Sequence, residues 1–170
     1  KGAKKMKKII SITLVVIVIL FCAIPTSALA ANNTENDVYF TQEEFELLNP
    51  IHAEYKGNAN TRATGFITDY DLAIAKSGTK LVISGYTYGS SDVVKCGFKE
   101  IVIQRRTNSS SSWSNYTTYE DLYSESTRYT LKKSLTVATG YQYRVTAIHY
   151  AKKSLFSTQK IEVSTGYLTF

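Results

Sequence analysis

From residue 62 to 170 the apolar positions mostly recur at every second residue, the period of a strand with one buried face. In the segment Gly65 to Lys76, Phe66, Tyr70, Leu72 and Ile74 share one side. Ser77, Gly78 and Thr79 follow, and Gly78 supplies the turn. Leu81 to Tyr88 is the next predicted strand, closed by Gly89-Ser90-Ser91-Asp92. Phe98 to Arg106 carries Ile101, Val102 and Ile103. One Asn and four Ser at 108–112 then turn the chain back into Trp113 to Tyr119 as a hairpin. Arg128 to Leu135, Tyr141 to Tyr150 and Leu155 to Val163 complete a set of seven strands. No Pro and no helical pattern interrupts them. Short strands at this spacing predict an all-β antiparallel sandwich or barrel.

Residues 31–61 follow a different pattern. Thr41 and Glu44 stand as N-cap and N3 of a capping box, with Phe40 and Phe45 at the two positions of a hydrophobic staple. Glu43 and Glu44 lie where a helix dipole favours anions. Asn49-Pro50 stops the helix. Two turns do not hold alone in water. The segment is therefore expected either to fray as a partly ordered linker or to dock Phe40, Phe45 and Leu48.

Ahead of this stands a leader. Lys7 and Lys8 precede an apolar run from Ile9 to Ile24, Pro25 breaks it, and Ala28-Leu29-Ala30 has the small-x-small pattern of a cleavage site. The run falls short of the roughly 20 residues a spanning helix needs. Met6 to Ala30 thus reads as a secretory signal peptide cut after Ala30, touching the membrane only before cleavage. Phe21 before Cys22 is too bulky for a lipid-attachment motif. Lys1 to Lys5 reads as codons translated from upstream of a start at Met6, a hypothesis that the absence of a GGAG-like run in the gene would defeat. The expected organisation is 1–30 leader, 31–61 acidic segment and 62–170 sandwich.

Charge changes the picture once it is divided this way. The whole chain is +6, with a pI near 9.2. Residues 1–30 carry five lysines and no acid, 31–61 sum to −5, and 62–170 sum to +6. Without the leader the chain is only +1, so the high pI is weak support for a nucleic-acid partner. An acidic arm joined to a basic domain is the sharper reading.

Cys96 is the one cysteine after the leader, which rules out an internal disulfide and is expected to be a small buried hydrophobe. One cysteine cannot build a several-ligand zinc site. There is no nucleophile elbow, Walker loop or dinucleotide fingerprint. His149 is expected on a strand face and His52 in the acidic segment, with no pattern marking either as a base. Glu100, Glu120 and Asp121 fall in charged stretches where spacing alone does not pair them for glycoside chemistry. No Asn or Asp follows Ser154 to close an isopeptide, and no sorting motif ends the chain. No enzyme activity, cofactor or metal is expected.

Binding remains. Arg105, Arg106, Lys152 and Lys153, with Trp113, Tyr116, Tyr119 and Tyr123 near basic pairs in sequence, form the candidate surface, because Arg and aromatic residues anchor interfaces. The ligand expected is an anionic envelope polymer, a glycan or a protein.

The run Leu135, Tyr141, Tyr143, Val145, Ala147 resembles the corner between strands E and F of fibronectin type III and immunoglobulin-like domains. The resemblance implies that Tyr141 is the corner tyrosine bonding nearby backbone, with Leu135 in the core. Val137 stands where that family often has Pro, and Trp113 follows the central hairpin turn, not the second strand. The strings Lys95-Cys96-Gly97-Phe98, Gln104-Arg105-Arg106, Asp121-Leu122-Tyr123, Gly140 to Val145 and His149 to Ser154 resemble an uncharacterised small secreted family of Gram-positive gut bacteria. That likeness implies export and a bacterial source, and no activity. The reading is a secreted, non-catalytic binding module at the cell envelope or host interface. The alternative is a structural or regulatory protein whose acidic segment docks on its own basic domain. A secreted hydrolase is third.

Overall fold

The computed structural model describes residues 40–56 and 65–170. The leader reading falls outside them. A short helix, α1 (Gln42–Glu46), precedes nine strands: β1 (Ile51–Tyr55), β2 (Ile67–Ser77), β3 (Lys80–Gly89), β4 (Lys95–Arg106), β5 (Ser114–Ser124), β6 (Arg128–Thr136), β7 (Gln142–Ser154), β8 (Ser157–Thr165) and β9 (Leu168–Thr169). All pairings are antiparallel, in the order β5-β4-β7-β8-β1-β2-β3-β6, with β9 added to β7.

The strands form two layers joined by β1. Its first half pairs with β2, Ile51 opposite Ile74 and His52 opposite Ala73. Its second half pairs with β8, Ala53 opposite Thr165 through Tyr55 opposite Val163. Sheet A is thus β1-β2-β3-β6, and sheet B is β5-β4-β7-β8-β1. The seven strands expected are all present, and β1 and β9 are additional. Five residues with only alternate partial burial, placed after Asn-Pro, carry little strand signal of their own. Pairing to two neighbours supplies what propensity does not. His52 accordingly sits on a strand and not in a linker, its Nδ1 3.0 Å from both carboxylate oxygens of Asp71.

Alternation decides what the layers bury. Leu72 and Ile74 of β2, Leu81 and Ile83 of β3, Ile101 and Ile103 of β4, and Val145 and Ala147 of β7 all point inward. Leu131, Leu135 and Val163 close the core from β6 and β8. Cys96 is fully buried among them.

The helix docks. Phe45, fully buried, sits on the outer face of sheet A against Ala73, Ala75 and Val82, with Phe40 and Leu48 packed around it. Two alanines at alternate positions of β2 leave room for a phenyl ring there. The capping box closes from both sides: Thr41 Oγ1 accepts from Glu44 N–H at 3.1 Å, and Thr41 N–H donates to the Glu44 carboxylate at 2.7 Å. Phe40 and Phe45 stack at 5.5 Å, as the staple predicts. Lys132 of β6 reaches up to donate to the Phe40 carbonyl at 2.8 Å.

Candidate functional site

The expected surface residues divide between places far apart. Strand β4 runs from Lys95 to Arg106, which at 3.3 Å per residue is about 36 Å. Arg105, Arg106, Trp113 and Tyr116 gather at one end. Tyr123, Lys152 and Lys153 belong to the other, because β7 is antiparallel and sets Lys152 opposite Lys95. Lys153 pairs with Asp92 and lies over the Phe66 ring. Tyr123 packs on Tyr150 at 5.0 Å and donates to Asp121 at 3.0 Å, while Lys99 holds the same carboxylate at 2.5 Å. Those two bonds keep Asp121 below the usual carboxylate range. Tyr119 lies mid-strand under the Lys133 ammonium, 4.4 Å from its ring centre. At the Lys95 end, charges are largely matched.

The Arg106 end differs. Arg106 and Gln104 face outward from sheet B, as do Gln142 and Arg144 of β7, and the register places Arg106 opposite Gln142 and Gln104 opposite Arg144. Arg106 Nε donates to Gln142 Oε1 at 2.8 Å, and its Nη1 donates to the Ser109 carbonyl at 3.2 Å. Arg144 Nε donates to Gln104 Oε1 at 2.9 Å, and Gln104 passes the chain on to Asn115 at 3.0 Å. Trp113, just before β5, lies against both cations: Arg106 Cζ is 4.3 Å and Arg144 Cζ 4.4 Å from its ring centre. Tyr167, in the turn before β9, adds a second ring 5.0 Å from Arg106. Among the described residues neither arginine has a carboxylate partner. Burial, and then the Arg106 charge, lower the Arg144 guanidinium from its ordinary value.

Arg105 points the other way, into the end of the core. Its guanidinium lies 4.9 Å from the Tyr116 ring and 4.8 Å from Tyr141. It stacks as a lid over the core margin and does not share the Arg106 face.

The bond to nearby backbone expected of the Tyr141 hydroxyl is made instead by Tyr143, which donates to the Ala138 carbonyl at 3.1 Å. Alternation explains the shift. Tyr143 is the inward residue, fully buried, so its hydroxyl must find a partner. Tyr141 precedes β7 and is half-buried against Arg105. Leu135 is buried, as the resemblance implied.

Arg144 and Tyr167 were missed by sequence reasoning. Arg144 lies between inward Tyr143 and Val145, so its outward aim was legible. That it lands beside Arg106 follows only from the β4–β7 register.

Chemistry elsewhere is sparse among the described residues. No group of three His, Cys, Asp or Glu could hold a metal. His149 is wholly buried against Phe98 and Tyr70, with rings 4.6 and 5.0 Å away. Among the described residues no helix is long and apolar enough to cross a membrane. Compared with known proteins, the chain matches no family model, no curated protein and no solved structure.

Proposed function

We propose that the protein is a non-catalytic binding module, exported to the cell envelope or host interface, on an immunoglobulin- or fibronectin III-like sandwich. Its ligand surface is the Arg106–Trp113–Arg144 end of sheet B. One observation carries this reading: two cations held against one indole, with hydrogen-bonding capacity unused. A guanidinium has five N–H donors. Protein acceptors take two from Arg106 and one from Arg144, leaving three and four without an acceptor among the described residues. Gln142 and Gln104 fix both forks at Nε and leave the outer edges free, the preorganised arrangement that binding rewards. The test is an array of envelope polymers and glycans probed with the purified protein and with Trp113→Ala. A ligand bound by the first and lost by the second is expected. Binding to nothing, or binding indifferent to Trp113, defeats the reading.

A second reading gives the acidic segment a regulatory role, and the docking of Phe45 with the Lys132 bond to Phe40 favours it. The helix covers sheet A, so what it would regulate is the Lys132 face and not the arginine pair. Deletion of residues 31–49 tests it. The cut must stop before Pro50, because β1 belongs to both sheets. If the shortened protein gains no ligand on the same array that the full chain does not bind, this role is excluded.

A further inference from the structure

The outer face of sheet B changes sign along its strands. Moving from Gln104 to Glu100 on β4 covers about 13 Å. There, a row of acids crosses the sheet. Glu100 is directly opposite Glu120 of β5, and on its other side Ile148 of β7 leads to Glu162 of β8. Glu100, Val102, Thr146, Ile148 and Glu162 line one depression of about 140 Å³. Glu162 is paired with Lys56, but Glu100 and Glu120 have no ion pair among the described residues. Like charges directly opposite on a sheet are unfavourable. The face therefore offers two arginines at one end and a repulsive row a few residues away.

We propose that the arginine pair takes a compact oxyanion, a single carboxylate, sulfate or phosphate group on a small molecule or sugar terminus, and that the Glu100–Glu120 row rejects extended polyanions. This rests on the reading of that end as the ligand surface. The two Cζ atoms lie 4.3 and 4.4 Å from the same ring centre, which keeps them within about 9 Å of each other, and an oxyanion seated at the outer edges of the two forks would take charge-assisted bonds from both. Both guanidinium groups lie against the Trp113 ring, so the indole holds the two cations together. Positive charge crowded on Arg144 by burial and by Arg106 is relieved when an anion arrives. A chain of phosphates or sulfates running along the strands would carry its next charges onto Glu100 and Glu120, and discrimination then comes from the repulsive element.

Trp113 is the single tryptophan of the chain, so its emission reports the site. The protein is titrated with glucuronate, glucose 6-sulfate, glucose 6-phosphate, glucose and inorganic polyphosphate. A saturable emission change is expected with at least one of the three acids and none with glucose, and comparing the three separates carboxylate, sulfate and phosphate as sources. Arg144→Ala should weaken that binding about tenfold or more, and Arg144→Lys less, since lysine keeps the charge but loses the fork. Polyphosphate should bind no more tightly than glucose 6-phosphate. Glu100→Gln with Glu120→Gln should tighten polyphosphate and leave the small acids unchanged. Emission unmoved by every charged probe overturns the oxyanion site, and polyphosphate preferred by the unaltered protein overturns the rejection. If the array yields a neutral ligand that needs Trp113, the surface stands and the oxyanion class fails. If array binding ignores Trp113 while the acids still bind, the oxyanion site stands and the functional reading fails.

Discussion

His149 and Thr87 meet inside the core, with His149 Nδ1 2.8 Å from Thr87 Oγ1. The Thr87 hydroxyl donates to the Gly97 carbonyl at 3.0 Å, so the proton between Thr87 and the imidazole comes from Nδ1. Nε2 is left with a lone pair and no hydrogen-bond partner. The ring is thus a neutral imidazole locked in one tautomer between Phe98 and Tyr70.

Acid should unfold the protein through this residue. Burial pushes the His149 pKa down to about 3, against about 6.5 in an unfolded chain. The neutral ring's contribution is complete above pH 6.5. Below that the unfolded chain takes up a proton the folded core refuses, and stability falls by about 1.4 kcal/mol per pH unit until the folded pKa is reached. Urea unfolding midpoints at several pH values across this window measure the slope. His149→Leu should flatten it while costing little at neutral pH, since the orphan Nε2 goes as well. An unchanged slope in that variant removes His149 as the cause.

Tyr143→Phe should lose about 1 kcal/mol, the net worth of one hydrogen bond, whereas Tyr141→Phe should lose almost nothing. Urea denaturation of the two variants assigns the corner hydroxyl. The opposite ranking would return the role to Tyr141.

Gly97 has φ +153, and a Cβ placed there would lie 2.0 Å from the Leu122 carbonyl oxygen. Gly97→Ala must push β5 off β4, and a loss of about 3 kcal/mol or more is expected. Thermal unfolding tests it. A variant as stable as the parent would show that β5 moves aside freely.

Phe45→Ala should release the helix before it harms the sandwich. The phenyl ring is the fully buried contact of α1, and a five-residue helix has no stability of its own. Amide exchange at residues 42–48 should rise sharply while β2 and β3 stay protected. Loss of protection in all of them together would mean that helix and sandwich fold as one unit.

Arg105→Ala and Arg106→Ala should separate stability from binding. Arg105 covers Tyr116 and Tyr141 at the core margin, so its loss should cost about 1 kcal/mol of folding and leave ligand affinity intact. Arg106→Ala should show the reverse, by thermal unfolding and by Trp113 emission. Equal effects on both measurements would contradict the division of the two side chains.

The seven main strands and the capped helix with its staple were legible from residue 40 onward, because each depends on spacing within a few neighbours, whereas the burial of Cys96 was expected from its being a lone cysteine and that of Leu135 from the resemblance. The same alternation could have found Tyr143: in Tyr141-Gln-Tyr143-Arg-Val145, the inward ring is the one continuous with Val145 and Ala147. What no local pattern contains is register. That Lys152 lies at the opposite end of β4 from Arg106, that Arg144 comes beside Arg106, and that Glu100 faces Glu120 all follow from antiparallel pairing between distant segments. The same holds for β1, five weakly patterned residues made into a strand by two sheets that each offer an edge. Sequence determined which side chains turn outward. The pairing of strands decided which of those outward charges meet, because register depends on every long-range contact in the core at once.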